Sequence, residues 1–285
     1  MNELPPKQNQ YERFGLSSET AKILSRVDID KLRELFEEEA EKSGLEKWDI
    51  DLVESAFSDV NVRDVEEGRG GGYNSADRSI TIMNREAFDR FMKKGTPYEL
   101  HVLSVFFHEQ THAASRTSHY ADYQVGYQQE VRFEGESSLR LAFVLFNEAI
   151  TDLISEEIFH EYERRYGFTN EENPDSLEKT EYVTSYNFGR TIVKQFIEKV
   201  ARECEVPEQT VWQGIKRSFF GNEDLLSTEF RALFGETVDE KLLMQLAKME
   251  GEISSEALAV STKLFIDNWS ASLKERWVNL LSKKS

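Results

Sequence analysis

Apolar residues at helical spacing are the first regular pattern along the chain. Leu32, Leu35 and Phe36 recur three or four positions apart and follow Asp28, a residue type that often caps a helix N-terminus. We therefore predict one or two helices over residues 17–44, with Asp28 as an N-cap.

Short alternating segments follow this helical region. Apolar and polar residues alternate over residues 60–65, as in a half-buried strand, and residues 78–83 predict a second strand, so we expect a hairpin. Four glycines within residues 68–72 lie between the two strands. They indicate either a mobile loop or a backbone segment that approaches a substrate closely. The second interpretation makes Gly72 and Tyr73 candidate substrate-binding residues.

A strongly apolar segment with a clear start predicts the next helix. Thr96 is a candidate N-cap, Pro97 takes the first helical position, and Glu99 completes a capping box. Leucine, valine and phenylalanine side chains continue the pattern, so we predict a helix over residues 97–116.

A second long helix is predicted over residues 137–166, and its almost entirely apolar first half belongs inside a core. Gly167 ends it, and an acidic linker follows at residues 170–176. The expected fold class is α+β, with a small mixed sheet beside the helix over residues 97–116. The predicted parts are a flexible tail at residues 1–15, an N-terminal subdomain at residues 16–168 and a mainly helical C-terminal subdomain at residues 177–285.

Composition excludes several classes of protein. The net charge of -18 over 285 residues argues against binding to nucleic acid or to an anionic membrane surface. The single cysteine, Cys204, allows neither a disulfide within the chain nor a cysteine-based zinc site. We find no signal-peptide pattern and no apolar run long enough to span a membrane, so we expect a cytoplasmic protein. The sequence specifies no oligomeric state.

The segment from His108 to His112 reads His-Glu-x-x-His and lies inside the predicted helix over residues 97–116. Histidines four positions apart share one helix face, so both imidazoles can bind one zinc ion. Glu109 is rotated by about 100° around the helix, where its carboxylate can act as a general base on an attacking water molecule. Without a metal, burying these three polar side chains in an apolar run is unfavourable.

A catalytic zinc ion needs a third protein ligand. The downstream candidates are His119, Asp122, Glu130, Glu134, Glu136 and Glu148. The extended motif of another metalloprotease class requires glycine and histidine where this chain has Ser115 and Ser118, which disfavours that class. Glu148 is the best candidate because it lies within a helix predicted to be buried, where a carboxylate needs a partner.

Asp152 follows Glu148 by one helical turn on the same face. Its carboxylate could accept a hydrogen bond from the second ring nitrogen of a zinc-bound histidine. The alternative is that Glu148 and Asp152 form a polar stripe that pairs with arginine elsewhere.

Together, His108-Glu109-x-x-His112 and Asn147-Glu148-Ala149-x-x-Asp152 resemble the motifs of the gluzincin zinc metallopeptidases. The resemblance covers about residues 57–166 and implies a zincin-like fold. It also implies zinc ligands at His108, His112 and Glu148, with Asp152 orienting a histidine. Such enzymes bind an extended peptide along an edge strand that precedes the first motif helix.

The chain departs from the thermolysin-type pattern in its segment between the motifs, which is longer, and in having no histidine after His160. A later histidine that stabilises the oxyanion therefore has no match. A tyrosine could donate that hydrogen bond instead, and Tyr186 is favoured over Tyr182, although either could be a packing residue.

The leading hypothesis is a zinc-dependent peptidase that acts on a peptide or protein substrate. A second hypothesis is a catalytically inactive, zincin-like regulatory or binding protein. A third is a helical scaffold in which the His-Glu-x-x-His pattern arose by chance.

Overall fold

The computed structural model describes residues 16–45, 57, 61–65, 71–74, 78–91, 97–115, 126–127, 129–131, 140–168, 182, 186–221, 225–239, 241–242 and 269–283. The predicted tail at residues 1–15, the candidate cap Thr96 and the predicted linker at residues 170–176 lie outside these residues.

The described residues form nine helices and five strands, a mixed α and β fold that is mostly helical. In chain order the helices are α1 (Ser18–Leu24), α2 (Ile29–Lys42), α3 (Arg85–Phe91), α4 (Tyr98–Ala114), α5 (Val144–Tyr166), α6 (Asn187–Cys204), α7 (Glu208–Phe220), α8 (Leu225–Thr237) and α9 (Ala271–Ser282). The strands are β1 (Asn61–Val65), β2 (Gly71–Asn74), β3 (Ser79–Met83), β4 (Gln129–Val131) and β5 (Arg140–Ala142). The predicted α+β class is confirmed at this level.

The start of α2 confirms the predicted cap. The Asp28 carboxylate accepts hydrogen bonds from the backbone N–H groups of Asp30 at 3.1 Å and Lys31 at 3.4 Å. These are among the N–H groups that have no partner inside the helix, so the side chain satisfies donors that would otherwise face water.

The first sheet differs from the predicted hairpin. Its strand order is β1-β3-β2, in which β1 runs parallel to β3 and β2 runs antiparallel to it. Both predicted segments form strands that pair with each other, but they pair in parallel, so the predicted hairpin between them is wrong and the hairpin partner of β3 is β2. Of the glycines interpreted as either a mobile loop or a segment of close backbone approach, Gly71 and Gly72 form part of a strand.

The second long helix also begins later than predicted. Residues 140–142 form β5, which pairs with β4, and α5 begins at Val144. Between them Phe143 has a φ of 56°, a left-handed conformation that interrupts regular structure. A continuous apolar run has no period that distinguishes a buried strand from a buried helix, which explains the error. The predicted end is confirmed, since α5 ends at Tyr166 and Gly167 follows with a φ of 66°.

The chain divides into two compact units. The first comprises Met1–Phe36, Glu54–Ala114 and Ser155–Thr184, and the second comprises Glu37–Val53, Ser115–Ile154 and Ser185–Ser285. In the first unit, the ring of Phe107 packs against the rings of Phe159, at a centroid distance of 5.2 Å, and Tyr162, at 5.6 Å.

In the second unit, Phe234 of α8 is the centre of an aromatic cluster. We call it the Phe234 cluster, and its other members are Tyr127, Phe143, Phe146 and Phe196. Their ring centroids lie between 4.8 and 5.5 Å from that of Phe234. Because Phe143 and Phe146 flank the beginning of α5, this cluster holds that end of the helix.

Among the described residues, no helix combines the length and the apolar character needed to cross a membrane.

Candidate metal centre

Helix α4 presents the His-Glu-x-x-His segment in a buried setting. His108 and His112 are each 6% exposed, and Glu109 is 7% exposed. Apolar side chains such as Phe106 and Phe107 surround them along the helix and drive its burial. Three ionisable side chains are thus held away from most of the solvent, an arrangement that needs charged or polar partners.

The two histidine rings already have the spacing that a metal requires. The Nε2 atoms of His108 and His112 lie 3.2 Å apart. Two nitrogens bound tetrahedrally to one zinc ion at about 2.0–2.1 Å would lie about 3.3–3.4 Å apart. The imidazoles therefore need almost no rearrangement to hold an ion.

Glu148 completes a set of three donors. One ligand atom from each of His108, His112 and Glu148 lies within 4.8 Å of the other two. Glu148 is half-buried near the start of α5. The other candidate third ligands lie outside the described part of the chain; they are His119, Asp122, Glu134, Glu136 and the side chain of Glu130.

Asp152 lies one turn beyond Glu148 and is almost completely buried. One of its carboxylate oxygens is 3.4 Å from a guanidinium nitrogen of Arg190 on α6. The side chains of Asp152 and Arg190 are 2% and 12% exposed, so this ion pair is shielded from solvent. The structure thus gives Asp152 an arginine partner, as the polar-stripe interpretation expects. Its predicted role in orienting a histidine stays a prediction.

Strand β2 packs against α4 beside Glu109. A Cβ atom placed on Gly71 would lie 2.2 Å from Val105 Cγ1 and 3.3 Å from Glu109 Oε1, so only glycine permits this approach. Gly72 follows, and its carbonyl accepts a hydrogen bond from the Thr81 hydroxyl at 3.1 Å. The half-buried Tyr73 is paired with Ile80 of β3.

Among the described strands, β2 pairs only with β3, so it is an edge strand of the first sheet. Gly72 and Tyr73, the predicted substrate-binding residues, therefore lie on an edge next to the helix of Glu109. Sequence reasoning missed Gly71 as the residue of closest approach. The run of glycines was the available signal, but it could not show which glycine faces the helix.

The two candidate tyrosines have different surroundings. The Tyr182 hydroxyl shares a hydrogen bond with the Ser155 hydroxyl, and its ring packs on Phe159 at 5.5 Å. Tyr186 is the half-buried N-cap residue of α6 and makes no side-chain capping bond. Tyr182 therefore packs within the first unit, and the role of Tyr186 as the donor stays a prediction.

Comparison of the chain with protein-family models, with curated proteins and with solved structures found no match. The function must therefore be argued from the residues and geometry of this site.

Proposed function

We propose that this chain is a zinc-dependent peptidase with a zincin-like fold, in which His108, His112 and Glu148 hold the metal. The observation that carries the proposal is the convergence of these three donors, with the two histidine nitrogens 3.2 Å apart. Two imidazoles and one carboxylate form a donor set typical of catalytic zinc.

When bound, zinc would polarise the peptide carbonyl and make a water molecule more acidic. The protein groups perform the proton transfers. Glu109 is on the same helix as both histidines but is rotated by about 100° from His108, so its carboxylate would act on the water rather than as a metal ligand. It takes the proton from the attacking water and passes it to the leaving amine. Its burial beside β2 limits competition from bulk water.

The edge of β2 supports a peptide as the substrate. An extended peptide can add to an exposed sheet edge through main-chain hydrogen bonds. Gly72 and Tyr73 lie on this strand, and Gly71 brings the same strand against α4 near Glu109. We propose that this edge orients the scissile segment, with Tyr186 donating a hydrogen bond to the developing oxyanion.

Zinc stoichiometry and cleavage of a peptide library test the proposal. The wild-type protein is expected to bind one zinc ion and cleave peptides, whereas Glu109→Gln should keep the zinc and lose about 10²–10⁴-fold in kcat/KM. Glu86→Gln is the matched control, because this exposed glutamate on α3 undergoes the same chemical change. Tyr186→Phe should lower kcat without changing the zinc content.

Three results would contradict the proposal in different ways. Bound zinc without cleavage of any peptide would favour the non-catalytic binding protein. A wild-type protein that takes up no zinc would favour a chance motif. Full activity of Glu109→Gln would show that Glu109 is not the general base.

A further inference from the structure

Asn147, the residue before Glu148, makes a buried contact with a distant turn of the second unit. Its side chain is fully buried, and its carbonyl oxygen accepts the backbone N–H of Tyr127 at 2.8 Å. Its amide nitrogen is also buried and has no hydrogen-bond partner among the residues that the structure describes. The Asn147 side chain is therefore tied to Tyr127 through its oxygen, and a buried hydrogen bond of this kind is costly to break.

The turn is fitted tightly to Asn147. Gly126 has a φ of 56°, and a Cβ atom there would lie 2.3 Å from the Asn147 side-chain oxygen. The same atom would lie 2.7 Å from the ring of Phe219. Glycine is thus required both for the backbone conformation and for the close approach.

Tyr127 anchors the turn to the helices of the second unit. Its ring is 1% exposed and packs on Phe234 at 4.9 Å, and its hydroxyl donates to the carbonyl of Ile215 at 3.3 Å. The Asn147 side chain is therefore bonded to a turn that is itself fixed to α7 and α8.

The main chain at the start of α5 is restrained by the same cluster. The left-handed Phe143 packs on Phe234 at 5.5 Å, and its carbonyl accepts the backbone N–H of Asn147 at 2.9 Å. Phe146, directly before Asn147, packs on Phe234 at 4.8 Å. The backbone next to Glu148 is thus held in two ways, through the side chain of Asn147 and through the main-chain hydrogen bond between Asn147 and Phe143.

We infer that Asn147 is a positioning residue for Glu148, which acts by locking the Gly126–Tyr127 turn against the first turns of α5. The inference rests on the proposed function, because its effect is on metal binding. A ligand held in place beforehand loses less conformational freedom when the metal binds, so the lock raises zinc affinity. Removing an outer partner of a metal ligand typically lowers metal affinity by about 10–100-fold.

Zinc dissociation constants of three variants test the inference, measured by competition with a chromophoric chelator well below each Tm. Asn147→Ala removes the acceptor, and Gly126→Ala disturbs the same bond from the turn. Both are expected to weaken zinc binding about tenfold or more. Ser155→Ala is the matched control, because it removes a buried hydroxyl from α5 that bonds Tyr182. It should lower the Tm without changing zinc affinity.

Hydrogen exchange of the wild-type protein provides a test that needs no variant. Because coupling between two sites is reciprocal, zinc must stabilise the lock if the lock favours zinc. The Tyr127 amide should therefore exchange about tenfold more slowly with zinc, and should slow more than the amides of α9. This measurement also decides the matter if a variant fails to fold.

The two proposals fail in distinguishable ways. If the wild type binds zinc but Asn147→Ala binds it equally well, or if Tyr127 exchange is unchanged by zinc, the inference is wrong and the proposed function stands. If the wild type binds no zinc, the proposed function fails and the inference fails with it.

Discussion

A methyl group at Gly71 has no room between β2 and α4. Its carbon would lie 2.2 Å from Val105 Cγ1, about 1.6 Å closer than two carbon atoms normally pack. Overpacking of this kind costs about 1–3 kcal/mol, and alanine recovers about 0.5–1 kcal/mol by restricting the unfolded chain. We therefore expect Gly71→Ala to lower the free energy of unfolding by about 0.5–2 kcal/mol.

Val105→Ala removes the side chain that collides with the new methyl group. In the double variant the closest neighbours of that methyl group are the Thr81 carbonyl oxygen at 3.2 Å and Glu109 Oε1 at 3.3 Å, contacts that small shifts can relieve. Urea unfolding of the wild type, both single variants and the double variant should give a favourable coupling of about 1 kcal/mol. Peptide cleavage should follow the same order, because the clash displaces β2 from Glu109.

Additive effects within about 0.5 kcal/mol would refute this reasoning, since they would mean that Gly71 and Val105 do not compete for the same space. A Gly71→Ala variant with unchanged stability would show that β2 and α4 can separate freely. Unchanged kcat/KM in a destabilised Gly71→Ala variant would show that the position of β2 does not affect peptide cleavage.

Three further predictions concern charged and reactive groups outside the candidate site. Lys216 is buried against Trp212 and pairs with Glu39. Lys216→Met leaves Glu39 with only the more exposed Lys42 as a cation, so we expect it to cost about 2 kcal/mol in urea unfolding, and adding Glu39→Leu should restore most of that loss. A hydrogen bond from Arg164 lowers the pKa of Glu161 to about 2 from an ordinary 4.5. The resulting stabilisation is present above pH 4.5 and is lost as the pH falls through 2. In urea unfolding, Glu161→Gln should therefore be less stable than the wild type by under about 1 kcal/mol at pH 6. At pH 2 the two proteins should be nearly equal in stability. Burial raises the pKa of Cys204 to about 11 from 9.0, so at pH 8 its thiol should react with an aromatic disulfide reagent about 100-fold more slowly than in the unfolded chain.

Each of these predictions has its own control. Lys199→Met breaks a more exposed pair with Glu203 and should cost much less than Lys216→Met. A difference between Glu161→Gln and the wild type that persists unchanged at pH 2 would exclude the ion pair as its source. Rapid labelling of Cys204 in the folded protein would show that its burial is transient.

The parts of the fold that depend on nearby residues could be predicted from the sequence. The Asp28 cap, the apolar α4 and the end of α5 at Gly167 each follow from local spacing and residue type. The parallel pairing of β1 with β3 could not be predicted, because no local pattern states which strands become neighbours. The late start of α5 was hidden because an apolar run suits a buried strand as well as a buried helix.

In the candidate site, too, features that depend on nearby residues could be predicted, whereas contacts between distant residues could not. The separation of the His108 and His112 rings is fixed within one helix, and a carboxylate in a predicted core pointed to Glu148. The contact between Asn147 and the Gly126–Tyr127 turn joins residues about 20 positions apart without a recognisable motif. The Asp152–Arg190 pair likewise depends on how α5 and α6 pack. Only the folded chain reveals such contacts.

The brevity of β2 also bears on self-association. A sheet edge that can accept a peptide strand can in principle accept the same edge of another copy, which is how β-sheet proteins aggregate. In the described part of the chain, strand β2 spans four residues and begins with two glycines, so it offers few main-chain hydrogen bonds and little apolar surface to an identical strand. A strand this short gains too little from pairing to hold two copies together unaided. Engineering that lengthens β2 to bind substrates more tightly would therefore be expected to increase aggregation as well.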